Sequence, residues 1–289
     1  MKKVAIALTF TTCLILASSG INAQASGSTE SFSCGDPNLI SVSGSSQVEI
    51  ESSCVGDTGT FAASYAVSGN WAGAIMKSSN RTYSTAVGRI SIPSRSTSSC
   101  LGSAYTGWVG IGGVSTTNKL MQAGFIYAKG SSYPRAFYEY ITPNLELPVQ
   151  YVNSVPLHPG DDVEFKVIFD RSNSQAEFVI TNLSTADHVS ITTQLLNSDW
   201  DGTTAEWIDE RPLQKTATGT RYLPPLANFG TADWYGSKAV MSDGAWHSIA
   251  SEPYELDYMA DGNTILASPD NGLTNSMSFT DYYHACSAG

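Results

Sequence analysis

A chain of 289 residues fits one large β domain or two ordinary ones, and a single main domain is expected here. Charged residues are only 14%, and the formal net charge of −11 with a pI near 4.7 excludes the basic face that a nucleic-acid backbone demands; no lysine-arginine run offsets it. Acidity of this degree serves solubility, and it also suits a protein working in acid, where carboxylate protonation lowers self-repulsion.

Residues 1–25 read as a secretory signal peptide. Met1-Lys2-Lys3 gives a basic start, Val4 to Ser18 an apolar run too short for a membrane anchor, and Ala23-Gln24-Ala25 a small-x-small cleavage pattern. The expected location is extracellular or periplasmic, with no membrane association after cleavage. Removal takes Cys13 and leaves Cys34, Cys54, Cys100 and Cys286, which allow three pairings; the expected bridges are Cys34–Cys54 and Cys100–Cys286. Ser26 to Ser68 is rich in serine and glycine and reads as an extension or propeptide. It contains Asp57-Thr58-Gly59, the tripeptide of pepsin-like sites, but those need two such aspartates and no second copy exists, so a turn is the better reading.

From residue 69 to 289 the pattern changes to short alternating runs between turns. After Pro159-Gly160-Asp161-Asp162, the apolar Val163, Phe165, Val167 and Phe169 alternate with Glu164, Lys166 and Ile168; Val189, Ile191 and Leu195 follow the same period. Similar segments occur at Thr85–Ile92, Ala104–Gly112, Leu120–Ala128, Ala136–Ile141, Ala176–Thr181, Ala205–Glu210, Ala227–Tyr235, Tyr254–Met259 and Ser276–Asp281. No long amphipathic helix intervenes. About a dozen strands at hairpin spacing imply an all-β protein, either a two-sheet antiparallel sandwich or a large barrel.

The chemistry-bearing residues are sparse. His158, His188, His247 and His284 are scattered, never in HExxH or HxH spacing, so no metal site is expected. No GxSxG elbow, phosphate loop or dinucleotide fingerprint is present, and no cofactor is implied. The acidic stretch Thr204 to Glu210, TAEWIDE, remains. On a strand Glu206, Ile208 and Glu210 share one face, while Trp207 and Asp209 share the other. Laminarinase-like glycosidases place three carboxylates of E-x-D-x-E on one face. Here Asp209 has the wrong parity, leaving Glu206 and Glu210 as the pair a glycosidase would use. Other readings are a charged edge strand and a sugar- or peptide-binding sandwich without catalysis.

Five segments in order resemble the glutamic peptidases, or eqolisins: Asn70-Trp71-Ala72-Gly73-Ala74, Thr106-Gly107-Trp108-Val109-Gly110-Ile111, Leu120-Met121-Gln122-Ala123-Gly124, Tyr138-Glu139-Tyr140 and Ala205-Glu206-Trp207-Ile208-Asp209-Glu210, followed by Pro225-Leu226-Ala227-Asn228-Phe229. The resemblance implies a concanavalin A-like jelly roll of two seven-stranded antiparallel sheets and a monomeric endopeptidase acting on polypeptides. It also implies a catalytic dyad of Gln122 and Glu210, and a groove lined by Trp71, Thr106, Trp108 and Glu139. A glutamate can take a proton from the attacking water and return it to the leaving amine, while a glutamine amide can donate to the developing oxyanion. Gly124, beside Gln122, is expected to leave space for a substrate backbone. The chain departs from the family at Gly112, where an aspartate is usual, and at Ile141, where a tyrosine is usual.

Overall fold

The computed structural model describes residues 63–287, apart from short segments at 79, 97–99, 115–118, 130, 143–144, 147–148, 196–199, 201, 217 and 270–271. The signal segment, most of the extension, Cys34, Cys54 and Asp57-Thr58-Gly59 lie outside the described residues. In chain order the strands are β1 (Ala63–Ser68), β2 (Trp71–Lys77), β3 (Tyr83–Ser91), β4 (Tyr105–Gly112), β5 (Leu120–Tyr127), β6 (Arg135–Thr142), β7 (Leu145–Glu146), β8 (Gln150–Pro156), β9 (Asp162–Asp170) and β10 (Gln175–Asn182). They continue with β11 (His188–Gln194), β12 (Thr204–Glu210), β13 (Gln214–Lys215), β14 (Arg221–Tyr222), β15 (Thr231–Met241), β16 (Trp246–Ser248), β17 (Tyr254–Asp261), β18 (Thr264–Ser268), β19 (Leu273–Asn275) and β20 (Ser278–Tyr283). The helical element among the described residues is the 3-10 turn Ile249–Ser251.

The strands form an all-β sandwich. The front sheet runs β1, β17, β2, β12, β4, β5, β6, with β7 and β8 added at the β6 edge. The back sheet runs β20, β15, β3, β9, β10, β11. The hairpin β17–β18 joins the two along one side, because β18 pairs with β17 and then with β20. Pairing is antiparallel throughout both sheets except between β1 and β17, which run parallel. β1 lies within the segment read as extension, so ordered sheet begins before residue 69.

Strand positions followed from alternation where one face met water, as in β9, whose burial alternates along its length. The alternation rule did not pick out β2. Its sequence WAGAIMK has a continuous apolar centre because both faces are covered, and such runs have no period-two signal. β12 is likewise a central strand between β2 and β4, with every residue but Glu210 buried. TAEWIDE is therefore not a charged edge.

The main core fills the space between the sheets. Ala72, Ala74 and Met76 of β2, Val109 of β4, Phe125 of β5 and Trp207 of β12 meet Ile90, Phe165, Phe178 and Trp234 of the back sheet. Burying each large side chain contributes about 1.5–3 kcal/mol. Trp207 reaches across the sandwich, donating its indole N–H to the Val87 carbonyl at 2.9 Å. Gly88 makes room for it, since a Cβ there would stand 2.5 Å from the indole ring. A second, smaller apolar cluster of Ile75, Trp108, Leu120, Phe137 and Ile208 lies on the outer face of the front sheet, with Trp71, Ile126, Ile141 and Val149 packed against it.

Candidate active site

Register fixes which side chains meet on that outer face. One row across the sheet is Trp71, Glu210, Thr106, Ile126, Arg135; a parallel row is Ile75, Glu206, Gly110, Gln122, Glu139. Between them runs Gly73, Ile208, Trp108, Gly124, Phe137. Gln122 and Glu210 are thus staggered by four positions and separated by two strand spacings, roughly 16 Å between their backbones, with Trp108 midway, whereas Glu206 shares the row of Gln122 across the side-chain-free Gly110. Both open on one cleft of about 540 Å³, walled also by Trp71, Thr106, Leu120, Glu139 and Ile141 and by the arm from Pro212 to Arg221 that carries β13 and β14.

Glu210 is held by two side-chain donors. The indole N–H of Trp108 donates to Oε2 at 2.7 Å and the amide of Asn70 donates to Oε1 at 3.1 Å. Burial pushes this carboxyl above the ordinary glutamate value, and the donors from Trp108 and Asn70 pull against that shift without cancelling it. The result is a fixed carboxylate, poorly solvated and more basic than a free one.

Gln122 is buried and donates its Nε2 to Glu139 Oε2 at 2.8 Å. The second hydrogen on that nitrogen remains for another acceptor, while the buried carbonyl oxygen Oε1 has no protein hydrogen bond. Thr106 spends its hydroxyl on the Phe125 carbonyl at 2.6 Å, so it presents mainly its methyl face to the cleft.

The model of the Peptidase A4 family matches residues 69–278 of this chain. The chain belongs to that family. It is a glutamic-type endopeptidase, acting on polypeptides. Solved structures agree on the fold. Scytalido-glutamic peptidase with a transition state analog inhibitor superposes with a TM-score of 0.63 at 24% identity, covering 75% of this chain and 98% of the other. SCP-B, an eqolisin, gives 0.61 at 23% over 75% and 98%, and aspergilloglutamic peptidase from Aspergillus niger gives 0.52 at 22% over 63% and 99%. A search of curated proteins found no significant match.

Within this glutamic peptidase the expected residues take up unequal positions. Trp71, Thr106, Gln122, Glu139 and Glu210 line the cleft as anticipated. Trp108 does not form its wall: it is fully buried beneath the floor, edge-on to Trp71 with ring centroids 5.2 Å apart, and acts on Glu210 through its N–H. Gly124 does not open space for a substrate. A Cβ at 124 would lie 2.2 Å from the Gly107 carbonyl and 2.6 Å from Trp108, so this glycine lets Trp108 lie close to β5. Gly110 does the same on the other side, where a Cβ would stand 2.7 Å from the Trp108 ring.

The two departures from the family pattern have different causes. Gly112 has φ of +86° and a Cβ would meet the Lys119 carbonyl at 2.3 Å, so this backbone excludes an aspartate. Ile141 joins the cleft wall as an apolar surface. Sequence reasoning assigned no role to Asn70, which only folding brings to Glu210, 140 positions away. Its place immediately before Trp71 in the first matched segment was the available signal.

Asp209 points the other way, into the core between the sheets. Tyr105 donates to Oδ1 at 2.5 Å and Trp234 to Oδ2 at 2.8 Å, and Asp281 of β20 hydrogen-bonds to the same carboxyl. Glu206 shares the outer face with Glu210, as parity required, but it is fully buried and does not line the cleft. Among the described residues no group of three His, Cys, Asp or Glu is arranged to hold a metal ion.

Cys100 and Cys286 lie side by side as thiols, Cys286 hydrogen-bonded to Cys100 and Cys100 Sγ 3.3 Å from the Tyr283 hydroxyl. These contacts lower the Cys286 thiol below its usual range. The Cys286 carbonyl also accepts from Leu226 N at 2.7 Å, which pins the C-terminal segment beside the strand-like Pro225–Phe229 stretch.

Proposed function

We propose that this glutamic peptidase is a secreted acid endopeptidase in which Glu210 is the general base and Gln122 the oxyanion donor. The observation that carries the reading is the contrast between the two groups on one cleft: a carboxylate aimed by Trp108 and Asn70 with its basicity raised by burial, and a neutral amide anchored by Glu139 with one N–H to spare. An extended peptide lies over the Trp108 floor. Glu210 takes a proton from water as it adds to the scissile carbonyl. For the Gln122 amide to donate to the oxygen that becomes negative while Glu210 returns the proton to the departing amine, the two side chains lean toward each other over Trp108 when the peptide is bound. The glycosidase alternative needs Glu206 and Glu210 both facing substrate, which the burial of Glu206 disfavours.

The test is digestion of a peptide library across pH with mass spectrometry, beside an assay on β-glucan. Glu210 must be ionised to act, so activity rises with pH through its raised pKa, on the basic side of the ~4.3 of a free glutamate. It falls again when no proton is left for the amine. The optimum is expected in mild acid and unaffected by EDTA. An optimum above neutrality, loss with chelator, or turnover of glucan instead of peptide would defeat the reading.

Secretion places the adjacent thiols in an oxidising compartment, where the lowered Cys286 thiol favours exchange into a disulfide. Non-reducing peptide mapping of secreted protein is expected to recover Cys100 joined to Cys286, and reduction to cost about 3–5 kcal/mol through the long loop this bond closes. Recovery of Cys34 joined to either residue would refute this pairing.

A further inference from the structure

Arg135 opens β6 on the outer face, in the row that carries Glu210. It lies three strand spacings away, about 14 Å, or roughly four residues of extended peptide. The guanidinium stacks 3.6 Å above the ring of Tyr151, a residue of the cleft wall, and donates through Nη2 to Asn153 Oδ1 at 3.2 Å. Arg135 is exposed, and neither contact involves a carboxylate. Stacking fixes the plane of the guanidinium while leaving its edge donors outward, and one amide acceptor occupies only one of five. In a chain with 15 basic and 26 acidic residues, a cation oriented in this way at the mouth of a substrate cleft calls for an explanation.

From this placement we infer that Arg135 is a specificity residue that selects peptides carrying a carboxylate about four residues from the scissile bond, bound side-on to its guanidinium. The inference rests on the cleft being the peptide site proposed above. Its chemistry is that of a charge-assisted, two-point hydrogen bond, which a lysine would reproduce poorly and a glutamate would reverse. The carboxylate can belong to an Asp or Glu side chain or to a peptide's C-terminus, and the probes separate these.

Binding is measured first, so that the outcome does not depend on turnover. Fluorescent peptides differing only at the position four residues from the centre, as Glu, Gln or Lys, are titrated into Glu210→Gln protein by anisotropy, alongside a truncated peptide ending there as a free acid or an amide. Glu is expected to bind about 5- to 30-fold tighter than Gln, Arg135→Lys to retain part of that preference, and Arg135→Glu to invert it in favour of Lys. A free-acid preference without a Glu preference assigns the site to chain ends. With active enzyme the same ranking is expected in KM with kcat little changed. Identical rankings in wild type and Arg135→Glu would overturn the inference. Charge-dependent binding without any hydrolysis would instead uphold it while defeating the proposed catalysis.

Discussion

Glu210→Gln is expected to reduce peptide hydrolysis to background while the sandwich stays folded. The amide keeps the shape and its single oxygen can still accept from the Trp108 indole, at the cost of the Asn70 hydrogen bond to the other oxygen, but it cannot take a proton from water. Gln122→Ala should lose an oxyanion donor, worth ~10²–10³ in rate for a comparable single group. It also removes one hydrogen bond from the buried Glu139. Glu206→Gln should cost much less, because Glu206 is covered and does not face the cleft. Circular dichroism on each variant separates lost chemistry from lost fold. Full activity in Gln122→Ala, or equal collapse in Glu206→Gln and Glu210→Gln with Gln122→Ala unaffected, would remove the dyad and favour a two-carboxylate mechanism.

The thermal midpoint is expected to fall as pH rises from about 4 to 8, by at least ~10 °C. Two buried carboxyl pairs drive this. Asp209, desolvated between the sheets beside Asp281, titrates at about 6, and Asp257, desolvated on β17 beside Glu255, at about 8, against an ordinary value of 3.8. The Lys77 to Glu255 contact at 2.6 Å only partly offsets the second shift. Below 3.8 both the folded and the unfolded chain hold these protons, and the groups do not change stability. Between 3.8 and the folded values the unfolded chain ionises first, so stability falls with rising pH, and the loss is complete above about 6 for Asp209 and about 8 for Asp257. Two units for Asp209 correspond to about 3 kcal/mol, or roughly 6–12 °C in a domain of this size. Calorimetry between pH 3.5 and 8 measures the slope, and Asp209→Asn should flatten it between 4 and 6 while leaving the rest. A midpoint that is flat or rises over this range would show that these carboxyls are solvated. The same slope accords with an enzyme suited to acid.

Much of the site was legible before any fold was known, because the period of a strand is two and parity is a local property. TAEWIDE alone placed Glu206 and Glu210 on one face and Asp209 on the other, and β12 keeps that division, with Asp209 between the sheets and Glu210 at the cleft. Alternation also located β3, β4, β5, β6, β9 and β10 to within a residue or two. It failed where both faces are covered, as in β2, and at β15, which starts four residues later than expected at Ala227 and extends to Met241, while β17 and β20 fell within two residues of expectation.

Sequence by itself determined the all-β class and, through the ordered segments from Asn70 to Glu210, the family to which the chain belongs. Tertiary structure decided which of those residues act on one another. Strand parity says which side a residue faces but nothing about what stands there. Only packing could show that Trp108, bedded on Gly110 and Gly124, lies under the floor and aims Glu210, that Asn70 completes the carboxylate's support, and that Glu210 opens on the cleft while Glu206 does not. Only sheet register could set Arg135 in the row of Glu210, because pairing of distant strands is fixed by the whole sandwich.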